Sequence, residues 1–210
     1  MSGLSIEVLS GAPDTYAAVP TLVLRLRITR DSDEPVHAMV LKAQIRIEPQ
    51  RRRYSADEER RLVELFGEAP RWGETLKPFL WTHVSTTVAE FTGSVDIDLP
   101  VAVTYDFEVA AAKYLHGLGD GDVPIVLLFS GTTFGFRDGA LVVEPIAWNV
   151  EAGYPLPVSV WRDTMDAFFP NSGWIRVDRD TLDDLTVYKA EHALTSWENT
   201  FERLLKEAGR

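Results

Sequence analysis

The sequence predicts an α+β protein, mainly antiparallel β, with a two-sheet, sandwich-like β core, one inserted helix and a helical C-terminal part. Three observations support this fold class. Apolar and polar residues alternate with period two in several segments of the first 155 residues, most clearly at 21–29 and 36–47. Clusters of Asp, Gly and Pro separate these segments, as turns do. Apolar residues at helical spacing dominate only after residue 156, apart from one stretch near 55–67.

Length and composition fit a single domain. We expect residues 1–155 to form the β core and residues 156–210 to form a helical extension packed on it. The 210 residues are 45% apolar, which suffices for one sizeable core. Neither a run of about 18 apolar residues nor a signal-peptide pattern occurs, so we expect a cytoplasmic protein that does not enter the membrane. The chain has no cysteine, which excludes disulfides and thiolate metal sites, and we expect no cofactor.

The N-terminal part is expected to consist of strands. The first is short, at residues 6–9, and the second, at 21–29, places Leu and Ile on one face and two arginines on the other. An acidic turn leads into a strand at 36–47, and we expect these last two strands to pair as an antiparallel hairpin. His37 lies on the more apolar face of its strand and is expected in the core or at an edge.

Helix signals occur in two parts of the chain, near residue 55 and after residue 156. Ser55 and Glu58 have the spacing of a capping box, in which the hydroxyl and the carboxylate each bond a backbone amide at the helix start, and Gly67 can end that helix. The same spacing recurs at Thr195 and Glu198, which should open the last helix. Two further helices are expected at residues 157–170 and 181–194.

Extended structure is expected to resume after the inserted helix, at residues 78–91 and 94–118. Pro100 interrupts hydrogen-bonded pairing, so it should mark an edge or a bend. Alternation up to Val109 favours a strand at 105–115 over the helix that the alanines there would support. A buried strand at 124–136 should pair with its return strand at 140–150 through an Asp-Gly hairpin turn.

The charge distribution excludes one class of partner and suggests another. A net charge of −11 argues against nucleic-acid binding, because the acidic field repels a polyphosphate. Against this background Arg51, Arg52 and Arg53 form the sharpest local feature. Arginine forks match carboxylates, so the cluster could bind an acidic surface of a protein partner. The alternative is a solvated loop that balances the acidic residues at 57–59.

Aromatic residues follow the arginine cluster, and exposed aromatics beside arginine are typical of protein-interface hot spots. The alternative is that the tryptophans fill the core. We predict one partner-binding surface that combines both clusters: Arg51, Arg52, Arg53, Arg71, Trp72, Trp81 and His83. Charge reversal at Arg52 and Arg53 should then weaken the complex without lowering thermal stability.

Catalytic and metal-binding signals are weak. The four histidines (His37, His83, His116 and His192) show no HxH or HExxH spacing, so no metal site is predicted. Asp106 and Glu108 are a carboxylate pair that could serve acid–base chemistry, although their alternation is typical of an exposed strand face. Nucleotide-binding glycine loops and a nucleophile elbow are missing from the sequence. We assign no catalytic residue.

Several strings resemble an uncharacterised family, a domain of unknown function found mainly in actinobacteria. They are QIRIEPQRRRY (44–54), LFGE with RWG (65–73), PFLWTHVST (78–86), YDFEVAAAKYLHGL (105–118) and FFPNSGW (168–174). The resemblance covers nearly the whole chain and implies no catalytic residues, because the family has no assigned activity. Its members are often encoded beside genes of nickel–iron uptake hydrogenases and their maturation factors, which implies an accessory role in hydrogenase assembly. Strings such as FEV and LLF are more weakly similar to a tetrameric export chaperone, which implies a groove for extended polypeptide.

The sequence therefore favours a non-enzymatic binding or assembly protein whose partner is a protein, with a hydrogenase subunit or maturation factor implied by the resemblance. Two alternatives remain open. One is a hydrolase on a β-sandwich, using Asp106, Glu108 and a histidine, which requires these groups to converge in a pocket. The other is a chaperone for extended chains, which requires an exposed groove along a sheet. The sequence also leaves open whether copies associate into a homo-oligomer.

Overall fold

The computed structural model describes residues 3–104, 106, 109–172 and 175–209, and it divides into two units, Met1–Gly173 and Trp174–Arg210. The strands, all in the first unit, are β1 (Leu4–Pro13), β2 (Thr21–Arg30), β3 (Ala38–Ile47), β4 (Phe79–Val88), β5 (Ser94–Ala102), β6 (Asp122–Arg137), β7 (Ala140–Pro145) and β8 (Glu151–Pro157). The helices of the same unit are α1 (Ala56–Phe66), α2 (Trp72–Thr75), α3 (Ala110–Gly117) and α4 (Val158–Phe168). The second unit contains α5 (Arg179–Glu191) and α6 (Trp197–Glu207).

The strands form two antiparallel sheets. The first sheet has the order β1-β2-β5, and the second has the order β4-β3-β6-β7, with β8 also paired to β6. One hydrophobic core takes buried residues from both sheets, such as Leu24 and Leu26 of β2 and Leu41 and Ile45 of β3. The predicted fold class, α+β with mainly antiparallel strands and a two-sheet, sandwich-like core, is therefore confirmed.

Strand β6 changes partner along its length. Residues 122–128 pair with β8, and residues 132–137 pair with β7. Between them lies Gly131, with a φ of 145°. A Cβ at this position would lie 2.0 Å from the carbonyl oxygen of Val40, so the position requires glycine.

The helices of the first unit pack on one another and on the sheets. Ser55 Oγ accepts a hydrogen bond from the Glu58 N–H at 3.3 Å, and Glu58 Oε2 accepts one from the Ser55 N–H at 2.8 Å, which confirms the predicted capping box. Helix α3 packs against both α1 and α4, and α4 packs on β1, β2 and β8. The contact between α1 and α3 is close, because a Cβ on Gly117 would lie 2.8 Å from Leu62 Cδ2.

The predicted hairpin between residues 21–29 and 36–47 is wrong. Strand β2 pairs with β1 and β5, whereas β3 pairs with β4 and β6, so the acidic turn between them carries the chain from one sheet to the other. Alternation identifies which face of a strand is buried, but it does not identify the neighbouring strand. Both strands lie inside their own sheets, and each therefore has two other partners.

The predicted extended structure at residues 105–115 is also wrong for the part that the structure describes. Residues 110–117 form α3, whose buried face includes Tyr114 and Leu115. Alanine favours a helix, and this face gives that helix a core on which to pack. The sandwich thus carries more than one inserted helix. Tyr105, Phe107 and Glu108 lie outside the described residues.

Smaller corrections concern two element boundaries. Ser196 rather than Thr195 caps α6, because Ser196 Oγ accepts from the Asn199 N–H at 3.1 Å. The predicted return strand ends at Pro145, and a separate strand, β8, follows after a short loop.

Three local predictions can be compared with the structure directly. Asp138 and Gly139 have φ values of 52° and 78°, which confirms the hairpin turn between β6 and β7. Pro100 lies on the edge strand β5, as predicted. The prediction for His37 is wrong, because it is exposed and lies just before β3, an inner strand of its sheet; its ring lies edge-on to Phe136 with 4.9 Å between the ring centroids.

The second unit is a pair of helices with little buried surface. The Tyr188 hydroxyl of α5 donates to Glu207 Oε2 of α6 at 2.9 Å. Among the residues described in this unit, Thr200 alone is buried. In the described ranges of the whole chain, no helix is long and apolar enough to cross a membrane.

Candidate functional site

Arg52 is buried and holds two parts of the chain together. Its side chain is 8% exposed and forms an ion pair with Glu58 Oε1 at 2.5 Å. The same guanidinium donates to the carbonyl oxygens of Asp120 and Asp122, at 2.8 and 3.0 Å. We call this set of four residues, Arg52, Glu58, Asp120 and Asp122, the Arg52 clamp. The clamp fixes the turn before β6 to the start of α1.

Glu58 is the acidic centre of the clamp. Besides Arg52, it accepts hydrogen bonds from the backbone N–H groups of Ser55 and Gly119, both at 2.8 Å. Burial works to raise the pKa of Glu58, but these two backbone hydrogen bonds and the charge of Arg52 outweigh it and hold the pKa below its ordinary value. Glu58 is therefore ionised at neutral pH and balances Arg52 inside the protein.

Aromatic side chains extend the clamp into the core. The Tyr54 ring lies 5.3 Å from the Arg52 guanidinium carbon, and the Tyr54 and Tyr114 hydroxyls are 2.8 Å apart. Burial raises the pKa of Tyr54 to about 12, so the hydroxyl stays protonated. Trp72 packs edge-on against Tyr54 at 5.0 Å and donates from Nε1 to the Gly67 carbonyl at 2.8 Å.

The structure thus separates the seven predicted surface residues into two groups. The side chain of Arg52 and the residue Trp72 are buried, and they come together around Tyr54 as parts of the fold. The position of the Arg52 side chain argues against the expectation that Arg52 can be reversed without a loss of stability, because reversal would leave Glu58 buried beside another carboxylate. Arg53 is exposed, so reversing its charge should leave stability unchanged and tests its role in partner binding alone.

The other predicted residues are exposed or half-buried. Arg51 is exposed and pairs with Glu48 at 2.8 Å. Arg53 and Arg71 are exposed and form no ion pair with any residue that the structure describes. Trp81 and His83 lie on β4, away from the arginine triplet in sequence, where Trp81 is half-buried and His83 exposed.

Strand β4 is an open edge of the five-stranded sheet. It pairs with β3 on one side, and no described strand is hydrogen-bonded to its other side, while β5 of the first sheet packs close to part of β4. The ten residues FLWTHVSTTV contain neither a proline nor an Asp, Glu, Lys or Arg. Natural sheet edges are usually protected by such residues, because unpaired backbone groups recruit other strands. We call the unpaired side of Phe79–Val88 the β4 rim.

The other edge strands carry the protection that β4 lacks. Strand β5 contains Asp96, Asp98 and Pro100, and the two carboxylates pair with arginines of β2. The remaining edge strands of the described sheets all contain both an acidic residue and a proline: β1, β7 and β8. The edge of β1 is also covered by β8, since Gly11 packs against Leu156.

A β-bulge lies on the rim at Trp81. Ile45 pairs with Thr82 and Arg46 with Leu80, which leaves Trp81 as the extra residue. Bulges re-aim side chains, and Trp81 helps to line a crevice of about 240 Å³ where β4 and β5 approach α3 and α4. We call it the Trp81 crevice, and its lining is mostly apolar: Trp81, Thr82, Ala102, Val103, Thr104, Val109, Ala111, Ala112, Leu115 and Trp161.

Two cations stand beside the rim on the outer face of the sheet. Lys42 is opposite Ser85 of β4, and Arg46 is opposite Leu80. Neither forms an ion pair with a described residue, and β3 and β4 contain no acidic residue. The β3–β4 part of this face is therefore positive in a chain whose net charge is −11, and the acidic residue Glu151 of β8 lies on the same face beyond Leu128 of β6.

The β4 rim and the two cations beside it were not predicted from the sequence. The composition of an unprotected edge strand is present in the sequence, since residues 79–88 contain no Asp, Glu, Lys, Arg or proline. The pattern has no meaning until a strand is known to lie at an edge, and that is a property of the sheet order.

The remaining candidate groups among the described residues are histidine and carboxylate side chains. No group of three or more His, Asp and Glu side chains among them is arranged to hold a metal ion. Asp106 is exposed, and Glu108 lies outside the described residues, so the predicted carboxylate pair is not tested. Burial, together with the positive charges of Arg61 and Arg162, lowers the pKa of His116, which makes it neutral at pH 7.

Comparison with known proteins identifies a family and includes distant structural likenesses. A sequence model of DUF6084, a family of unknown function, matches residues 1–210. No curated protein matches the chain. A crystal structure of a CARDB domain from Pyrococcus furiosus, in complex with di-metal ions, is 8% identical with a TM-score of 0.28 and covers 74% of this chain and 92% of its own. A β-glucosidase from Kluyveromyces marxianus is 7% identical with a TM-score of 0.27 and covers 73% of this chain but 15% of its own. Likenesses at these TM-scores carry no functional argument.

Proposed function

The chain belongs to the DUF6084 family, and we propose that it is a non-enzymatic binding protein that captures an extended segment of a partner protein along the β4 rim. The observation that carries this proposal is the open edge itself. The rim is ten residues long, uncharged and free of proline, while each other edge strand of the described sheets is protected. An extended peptide that adds a strand to such an edge is an established mode of recognition.

The energetics set the role of the backbone in this binding. In an antiparallel edge, alternate residues direct both the N–H and the C=O outward, so about five of the ten residues are available to a partner strand. Each hydrogen bond contributes about 0.5–1.5 kcal/mol net. Association costs about 4–15 kcal/mol, which roughly cancels the backbone contribution. Side-chain contacts must therefore supply most of the net affinity, and they also select the partner.

The proposal also specifies the kind of partner and the cellular compartment. A protein partner is favoured over nucleic acid by the net charge of −11. The resemblance to a family encoded beside hydrogenase genes makes a hydrogenase subunit or maturation factor in the cytoplasm the first partner to test. The exposed arginines Arg51, Arg53 and Arg71 would then contribute electrostatic attraction at a distance from the rim. The hydrolase alternative rests on Glu108, which the structure does not describe, and no observation favours it.

Thr86→Lys is the variant that tests the rim. Thr86 is opposite the buried Leu41 and therefore faces inward, half-buried, at the rim. A lysine here reproduces the inward-pointing charge with which natural edge strands prevent pairing. Thr86→Val is the matched control, because it keeps the shape of the side chain and adds no charge. Leu141→Lys places the same charge on the exposed strand β7, where Leu141 is 60% exposed.

The experiment is affinity purification of each variant from native cells, followed by titration of the purified partner. We expect wild type, Thr86→Val and Leu141→Lys to recover the same partner with similar Kd values, and Thr86→Lys to lose it. Thermal unfolding should show that all four proteins are folded. A partner that binds Thr86→Lys as tightly as wild type would refute capture along β4.

A further inference from the structure

The Trp81 crevice has the size and lining of a pocket for one apolar side chain. Its volume is about 240 Å³, and an engineered apolar cavity of about 150 Å³ is large enough to bind benzene. Valine, leucine, alanine and tryptophan side chains supply most of the wall. The crevice also adjoins the rim, because Trp81 and Thr82 belong to both. A strand added to β4 would therefore pass its inward-facing side chains over the crevice.

The outward-facing side chains of the same added strand would meet a different environment. Sheet strands lie about 4.8 Å apart, so an added strand would lie about 10 Å from β3. The long side chains of Lys42 and Arg46 can span that distance towards an Asp or Glu on the added strand. The residues of β4 in between include Ser85 and His83, which are exposed and carry no negative charge.

We propose that the captured segment is an acidic strand with one bulky apolar anchor, which fills the Trp81 crevice while carboxylates of the same strand face Lys42 and Arg46. The inference rests on the proposed function, since it requires the segment to pair with β4. Side chains of a strand alternate between faces, so the anchor and the carboxylates must be separated by an odd number of residue steps. Arg46 is level with Leu80, beside the bulge, and Lys42 is level with Ser85. A carboxylate one step from the anchor faces Arg46, and one about three steps away faces Lys42.

Selection from a random library of 12-residue peptides displayed on phage provides the probe. The full chain serves as bait, and single enriched peptides are then synthesised and titrated. We expect enriched peptides to share an aromatic or large aliphatic residue, with Asp or Glu one or three positions away. Thr86→Lys should abolish their binding, which shows that they bind at the rim.

Two sets of variants separate the anchor from the carboxylates. Ala102→Phe fills the crevice from β5, where Ala102 is exposed, and should weaken the peptides at least about tenfold, since burial of a large apolar side chain is lost. Lys42→Glu with Arg46→Glu should weaken them roughly tenfold and abolish the preference for acidic residues. The controls are Ala140→Phe on the exposed start of β7 and Lys77→Glu on the exposed loop before β4.

The outcomes separate the two proposals. One outcome would overturn the anchored acidic strand while capture along β4 stands. The peptides would then share no anchor residue, their binding would be abolished by Thr86→Lys, and their affinity would be unchanged by Ala102→Phe. Peptides that bind Thr86→Lys and wild type equally, or a selection that enriches none, would overturn both. An anchor that is lost with Ala102→Phe and carboxylates that are lost with the double reversal would establish the inference.

Discussion

The Arg52 clamp and the β4 rim differ in whether their polar groups have hydrogen-bond partners within the chain. In the clamp, a buried guanidinium and a buried carboxylate find partners within the chain, with Arg52 Nε as the exception. Along the rim, the backbone N–H and C=O groups that alternate residues of this ten-residue strand direct outward have no partner strand in the described structure. The comparison indicates that polar groups satisfied inside the fold stabilise it, whereas those left open at an edge are available to another protein. Changes in the clamp should alter stability, and changes along the rim should alter binding.

The largest effect expected from this comparison is the loss of the clamp. Arg52→Glu removes the partner of Glu58 and places a second carboxylate beside it, so we expect the free energy of unfolding to fall by about 3–5 kcal/mol. Arg53→Glu is the matched control at the neighbouring, exposed position, and it should change the free energy by no more than about 0.5 kcal/mol. Urea unfolding followed by circular dichroism measures both. Equal effects of the two variants would show that the clamp contributes nothing.

A smaller effect is expected at the two tryptophans, which the sequence assigned to one surface. Trp72→Phe loses the hydrogen bond to the Gly67 carbonyl and part of a buried ring, so the free energy of unfolding should fall by about 1–3 kcal/mol while peptide affinity stays the same. Trp81→Phe should show the reverse pattern: little change in stability and weaker peptide binding. Denaturation curves and peptide titrations on both variants measure the two quantities. A Trp72→Phe protein that is stable but does not bind peptide would contradict the division between clamp and rim.

The smallest effect that sharpens the comparison is the pH dependence of the clamp. The pKa of Glu58 is lower in the folded chain than its ordinary value, so ionised Glu58 stabilises the fold above that ordinary value, about 4.3. This contribution is lost as the pH falls through the lower pKa of the folded state. We therefore expect the difference in free energy of unfolding between wild type and Glu58→Gln to be constant near neutral pH and to shrink below about pH 4.3. Urea unfolding at a series of pH values measures this difference, and a gap that does not shrink on acidification would exclude Glu58 as its source.

Much of the fold could be predicted from residue patterns, because those patterns report local physics. The capping box at Ser55 and the Asp-Gly turn at 138–139 depend on neighbours in sequence, and both occur as predicted. The pairing of β2 and β3 depends on which strands meet across the sandwich, which alternation does not encode. Helix α3 was missed because period-two alternation before it was extended into a segment whose alanines form a helix.

The candidate site shows the same limit. Arg51, Arg52 and Arg53 are chemically identical in sequence, yet of the three only Arg52 has a buried side chain, because its guanidinium bonds to the turn at 120–122. Trp72 and Trp81 are likewise equivalent by composition, and only their tertiary surroundings distinguish a core residue from one that lines a crevice. The predicted surface joined residues that are close in sequence, whereas the proposed binding surface combines the β4 rim with Lys42 and Arg46 of the neighbouring strand β3.

The open β4 edge makes the protein prone to aggregation when it is present in excess of its partner. A copy made in excess of its partner presents a long, unprotected strand, and two such strands can pair with each other as the first step of an aggregate. The net charge of −11 opposes that encounter, because every copy repels every other. The repulsion is screened as salt rises, whereas strand pairing is not. Aggregation of the unbound protein would therefore be prevented by two factors. One is a supply of the partner in at least equal amount, and the other is the repulsion due to the negative net charge.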